Sequence, residues 1–253
     1  MQIITAAIIK GGTGKSTTAA ALAQAAAAGK KKVLLIDLDP QGNVTAFTGA
    51  RPGGSYSLLE GAAPETVIQE TGQGIDVIAA SPDLATQKTR PGSAKRLQEA
   101  LEPIRARYDY IFIDTPPQMG ELTYNALQAS TGLIIPLETD SGSLQGLYQI
   151  AEIANHIQQS NPALSIIGTI ITRYEGRTKI NRYLRDVIAD KGKAAGAPLL
   201  MEIRKGTAIR EAQGLQVSLY RYAPMSTPAR DYRRLFEEHI ETRERKGRKK
   251  HGR

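Results

Sequence analysis

Short, continuously apolar, β-branched runs recur along the chain at residues 3–9, 33–36, 75–79, 110–113, 132–136 and 166–171. Parallel strands covered on both faces read in this way, without polar alternation. Between these runs lie stretches with helical patterning, at 16–28, 94–107, 120–129, 141–159 and 179–191. Alternation of the two predicts an α/β fold: a doubly wound, mostly parallel sheet with helices on both faces. Residues 51–74 are rich in Gly and Pro and predict a loop with a short helix. A last helix is expected over 227–244, with Leu235, Phe236 and Ile240 on one face. Residues 245–253 are cationic and lack apolar side chains, so a disordered basic tail is expected after a single domain at 1–244. No internal repeat of solenoid period is present.

Composition narrows the class. The 253 residues suffice for one large α/β core, and cysteine is absent. Disulfide frameworks and thiolate metal sites are thereby excluded, which suits a cytoplasmic location. No apolar run approaches the ~18 residues of a membrane span. The N-terminus enters a strand at once, so no secretion signal is expected. The net charge of +8 points to a polyanionic partner, nucleic acid or an anionic surface. Trp is absent and aromatics make up only 5%, which disfavours base-stacking platforms for single strands. Sequence-independent contact with the duplex backbone fits better.

Candidate chemistry sits at the ends of three apolar runs. Lys10-Gly11-Gly12-Thr13-Gly14-Lys15-Ser16-Thr17 joins the first strand to the first helix. A glycine loop feeding a helix N-terminus presents several N–H groups and a positive dipole to phosphate. Lys15 would reach the β- and γ-phosphates, and the Ser16 hydroxyl would ligate Mg²⁺. The loop departs from the G-x-x-x-x-G-K-[ST] pattern, because Ile9 replaces the first Gly and Lys10 adds a second lysine. It is no dinucleotide fingerprint either, since Thr17 stands where a third Gly is needed. A second run ends in Asp37-Leu38-Asp39-Pro40-Gln41-Gly42-Asn43, and a third in Asp114-Thr115-Pro116-Pro117. Ligands of open α/β sheets bind beyond such strand ends. Asp114 is placed to hold Mg²⁺ through water, because Mg²⁺ dehydrates reluctantly.

The loop K-G-G-x-G-K-[ST] resembles the deviant Walker A loop of the ParA/MinD class of ATPases. The segments D-x-D-P-Q-G-N at 37–43 and I-D-T-P-P at 113–117 resemble those of ParA-type partition ATPases. In that class the first lysine, here Lys10, acts across a dimer interface on the partner's nucleotide. The second acid of the D-x-D pair, here Asp39, orients the attacking water, with Asp37 and Asn43 in support. Asp114 corresponds to the Walker B acid, and Ser16, Asp37 and Asp114 form the implied metal set. Gly120 to Leu127, Leu144 to Leu147, Arg210-Glu211-Ala212 and Tyr222-Ala223-Pro224 also resemble the family. The implied nucleotide contacts are Lys10, Gly11, Gly12, Thr13, Gly14, Lys15, Ser16, Thr17, Thr172, Arg173 and Pro224.

The chain departs from the family in three places. Thr13 and Ser16 stand where Val and Thr are commoner. Ile203-Arg204-Lys205-Gly206 replaces an Ile-Pro-Arg-Asn run, and residues 139–143 lack the usual aromatics. Several relatives are set aside by features of the chain. Iron–sulfur relatives need cysteines, arsenite-pump ATPases duplicate the module, and the tyrosine-kinase relatives carry a tyrosine cluster. MinD-type membrane helices need an apolar face, which residues 241–253 lack, so no membrane partner is expected.

The resemblance implies a slow, partner-stimulated, Mg²⁺-dependent ATPase that forms a homodimer around ATP. It implies nonspecific double-stranded DNA and a centromere-binding adaptor as partners, and a nucleoid-associated place in the cytoplasm. Arg204, Lys205, Arg210, Arg230 and Arg233 are the candidate DNA contacts, with Arg221 and Arg234 beside them. Two alternatives stay open: an ATPase positioning a non-DNA cargo, and a metabolic P-loop enzyme acting on a small acceptor.

Overall fold

In the computed structural model, which describes residues 1–87, 93–140 and 142–242, eight strands form one sheet. They are β1 (Gln2–Ala6), β2 (Val33–Asp37), β3 (Gln69–Glu70), β4 (Asp76–Ile78), β5 (Tyr110–Asp114), β6 (Gly132–Leu137), β7 (Ser165–Tyr174) and β8 (Leu199–Arg204). Their spatial order is β3-β4-β2-β5-β1-β6-β7-β8. Every pairing is parallel except β3 with β4. The first strand therefore lies inside the sheet, with β5 on one side and β6 on the other.

The helices in chain order are α1 (Lys15–Ala28), α2 (Asn43–Thr48), α3 (Gly54–Leu59), α4 (Pro64–Val67), α5 (Arg96–Leu101), α6 (Glu121–Ala129) and α7 (Ser143–Ile157). After them come α8 (Lys179–Ala194), α9 (Ala208–Gly214), α10 (Leu219–Tyr222) and α11 (Thr227–Leu235). Alternate strand residues feed opposite faces, as the pleat requires. Ile4, Leu35, Tyr110 and Phe112 pack with Leu22 of α1 and with Tyr232 and Leu235 of α11. Ile3, Leu34, Ile36, Ile111 and Ile113 pack with Leu97 and Leu101 of α5 and Leu122 of α6. Farther along that face, Leu133 and Ile135 meet Leu147 and Ile150 of α7. This two-sided burial is why the strands are apolar throughout.

The observed elements differ from the sequence pattern where burial is partial or a breaker intervenes. β1 stops at Ala6, although Ala7 and Ile8 stay buried in the turn that follows. The helical pattern at 94–107 is interrupted: α5 gives way to a 3-10 segment, Glu102–Arg107. Pro103 opens that segment and cannot donate to an α-helical ladder. Residues 51–74 hold α3, α4 and β3. The last helix is α-helical only to Leu235 and continues as a π-helical stretch, Phe236–Glu241. The expected tail at 245–253, and the end of the expected last helix, lie outside the described residues.

Candidate nucleotide-binding site

Gly14 precedes α1 with φ 86°, a left-handed conformation that glycine adopts at least cost. A Cβ there would also lie 3.3 Å from Thr172 Cγ2. The end of β7 grips the loop: the Thr172 hydroxyl donates to the carbonyls of Thr13 (2.8 Å) and Leu137 (3.1 Å). Arg173 follows with φ 51°. Its guanidinium donates to the Gly12 carbonyl and pairs with Glu138. The loop is thus shaped from outside, and the N-terminal N–H groups of a 14-residue helix stand over it.

Lys15 is buried, and its ammonium donates to the Lys10 carbonyl at 3.0 Å. Burial lowers its pKa, against the pull of Asp114 and Asp39. Asp114 ends β5 and is fully buried, and neither carboxylate oxygen has a hydrogen-bond partner of ordinary geometry. Burial first, and then the Asp37 charge, raise its pKa well above the usual carboxylate range. Ser16 and Lys15 oppose that rise. A buried carboxylate with no hydrogen bond of ordinary geometry, beside the Ser16 hydroxyl and a phosphate-type loop, fits a hard divalent cation. Ser16 and Asp114 are the residues that would hold magnesium. When bound, it would neutralise charge on the β- and γ-phosphate oxygens.

Asp37 is arranged differently. Its Oδ1 accepts from the Asp39 N–H (3.1 Å), and its Oδ2 from the N–H and hydroxyl of Thr45 (both 2.8 Å). Burial still pushes its pKa up to about 6. The residue shapes the turn and fixes the first turn of α2. Asp39 is 5% exposed, with Oδ1 accepting from the Gln41 N–H at 3.0 Å. It shares a cleft of about 290 Å³ with Gly11, Lys15, Ser16, Asn43, Pro117 and Arg173.

A second cavity of about 390 Å³ adjoins the first across Gly14, Thr17 and Arg173. Thr172, Arg204, Lys205, Arg210, Gln213 and Tyr232 also wall it. Arg204 grips Asp231 at 2.5 and 3.0 Å, and Lys205 meets Glu175 at 2.7 Å. Gln213 donates to the Thr17 hydroxyl at 3.3 Å. Three of the basic residues singled out in the sequence therefore stand beside the phosphate loop. Arg230 is exposed on α11, and Arg233 lies over the Tyr220 ring at 5.2 Å. Pro224 is exposed between α10 and α11 and lines neither cavity. Lys10 is only partly exposed, and its ammonium pairs with Asp140.

Glu138, Asp140, Thr45, Gln213 and Tyr232 escape a motif reading. Their relevance arises from partners such as Arg173, Lys10, Asp37, Thr17 and Thr18, most of them far away in sequence.

A protein family described as an AAA domain matches residues 1–166. The chromosome-partitioning ATPase Soj of Thermus thermophilus is 34% identical over 242 residues, covering 93% of this chain and 94% of its own. A Mycobacterium smegmatis structure titled cobyrinic acid a,c-diamide synthase, with bound ATP analogue and magnesium, aligns at TM-score 0.81. It is 28% identical and covers 94% of this chain and 96% of its own. The septum-site-determining protein MinD of Pyrococcus horikoshii, complexed with Mg-ADP, shares the fold at TM-score 0.78 and 24% identity, over 96% and 97% of the two chains.

Proposed function

The chain belongs to the Soj/ParA family of chromosome-partitioning ATPases, and on that premise we propose that it is a magnesium-dependent ATPase whose ATP-bound homodimer holds double-stranded DNA without regard to sequence. Lys15 and the amides from Gly11 to Thr17 hold the phosphates. Ser16 and Asp114 serve the metal, and Asp39 aligns the attacking water. Thr172 and Arg173 border the space for the nucleoside, in the second cavity. Lys10 stabilises charge on the partner's nucleotide in the manner of an arginine finger. The observation that carries this reading is the contrast inside one loop: Lys15 is 6% exposed and faces Asp114, while the Lys10 side chain is 29% exposed and engages none of those acids.

DNA contact falls to the basic residues of the C-terminal third. Arg204, Lys205 and Arg210 stand beside the nucleotide loop, and Arg230 and Arg233 lie on α11, the helix whose Asp231 Arg204 grips. The closeness of Arg204, Lys205 and Arg210 to the loop gives nucleotide a route to DNA affinity. A centromere-binding adaptor that stimulates hydrolysis completes the cycle and accounts for a nucleoid-associated protein.

A salt-titrated DNA-binding assay with ATP, with ADP and without nucleotide tests the reading. Tight binding is expected with ATP only, with a log–log salt slope of about −0.9 per phosphate contacted. Equal affinity in all three states overturns it, because a ligand without differential affinity shifts no equilibrium. Turnover that needs a small acceptor and ignores DNA would favour a synthase of the kind named for the M. smegmatis structure.

A further inference from the structure

Lys10 is already engaged within its own protomer. The segment after β6 places Asp140 just before α7, and the two oxygens of its carboxylate do separate work. Oδ1 accepts from the N–H groups of Gly142 and Ser143 and from the Ser143 hydroxyl, each at 3.0 Å. Oδ2 pairs with the Lys10 ammonium. Small residues bring the elements together. A Cβ on Gly142 would lie 3.4 Å from Lys10 Nζ, and one on Gly146 would lie 3.1 Å from Ile8 side-chain atoms. The first turns of α7 thus pack directly on the chain leading into the phosphate loop.

We propose that Asp140 is a positioning residue: it holds Lys10 on its own protomer and sets how much ATP is needed to release that lysine to the partner's nucleotide. The proposal rests on the reading that Lys10 acts across a dimer. One ammonium cannot lie on Asp140 and on a partner's phosphates at once, so the two compete. The exchange is easy to reverse. Asp140 is 38% exposed in its side chain and keeps three donors on Oδ1, so losing Lys10 leaves no buried unpaired charge. A pair this exposed is worth at most about fivefold in an equilibrium constant. In a twofold dimer two lysines leave two carboxylates, so the effect enters twice.

The test is the ATP concentration at half-dimerisation, read by light scattering, for Asp140→Asn, Asp140→Ser, Ser143→Ala and Lys10→Ala. Asn keeps an oxygen for the Gly142 and Ser143 N–H groups while removing the charge. Ser offers a second cap acceptor should the first variant fold poorly. Both are expected to lower the midpoint by about two- to fivefold, because the doubled effect is shared by two bound ATP. Ser143→Ala deletes a bond to Oδ1 without touching the pair and is expected to match the wild type, whereas a purely structural role would move it with the Asp140 variants. Adding Asp140→Asn to Lys10→Ala is expected to change nothing further. Wild-type midpoints for both Asp140 variants, beside a defective Lys10→Ala, would overturn the role of Asp140 and leave the dimer reading intact. A Lys10→Ala protein that dimerises normally would overturn the reading beneath it.

Discussion

Asp37 and Asp114 are held in the folded protein with raised pKa values, Asp37 at about 6 against an ordinary 3.8. A raised folded value means that the native state binds the proton more tightly than the unfolded chain does. The associated stability is full below 3.8 and is lost as pH rises through the folded value. In metal- and nucleotide-free protein, Tm is therefore expected to climb as pH falls from about 7 toward about 5. Asp114→Asn should flatten that climb, and thermal melts across the range check it. A level wild-type profile would contradict it. Asp39→Ala should retain nucleotide binding and lose about a hundredfold in kcat, measured by phosphate release. Lys15, Ser16, Asp39 and Asp114 were legible because each sits in a motif whose chemistry is local. Asp140 was not, because its meaning lies in a contact with Lys10 between the ends of two neighbouring strands, β6 and β1, that are far apart in sequence. Asp37 was legible as an acid at a strand end, but two of its three hydrogen bonds depend on how Thr45 of α2 closes over it.

Strands buried on both faces and the longer amphipathic helices α6, α7 and α8 were readable, and the short elements and the outer strand were not. β1, β2 and β5 announce themselves because both faces need apolar residues. β8 has one fully buried position, Ile203, and its mixed Leu199–Arg204 sequence hides an outer strand. The short α2, α9 and α10 have no legible period, and polar contacts tie them together. Gln24 of α1 donates to the Gln73 side-chain carbonyl (2.6 Å) and accepts from the Leu219 N–H (3.0 Å). Gln73 donates in turn to the carbonyls of Phe47 (2.8 Å) and Gln216 (3.0 Å). This bridge pins the end of α2, which begins at the D-x-D turn, to the start of α10. Gln24→Leu strands a buried N–H and a buried carbonyl, so a loss of about 3 kcal/mol is expected in urea unfolding. Unchanged stability would mean that the bridge carries no weight. Gly146→Val should cost about 2 kcal/mol by overpacking against Ile8, checked by the same measurement.

On the scale of the whole molecule, a net charge of +8 and basic residues grouped in the last third make salt dependence the natural probe of DNA contact. Arg230→Ala is expected to reduce the magnitude of the log–log slope by about 0.9 while leaving ATP hydrolysis unchanged. An unaltered slope removes Arg230 from the contact surface. The order β2-β5-β1-β6-β7-β8 has a further result. Asp37 and Asp114 end β2 and β5, and Asp39 follows β2, on one flank of the phosphate loop. Arg173, Arg204 and Lys205 end or follow β7 and β8, on the other. The two flanks differ in kind: the Asp114 carboxylate is buried without an ordinary hydrogen bond, whereas Arg173, Arg204 and Lys205 are already paired with Glu138, Asp231 and Glu175. Charge not already spent inside the protein thus lies on the acid side of the cleft, and the basic side offers shape and hydrogen bonds more than net charge.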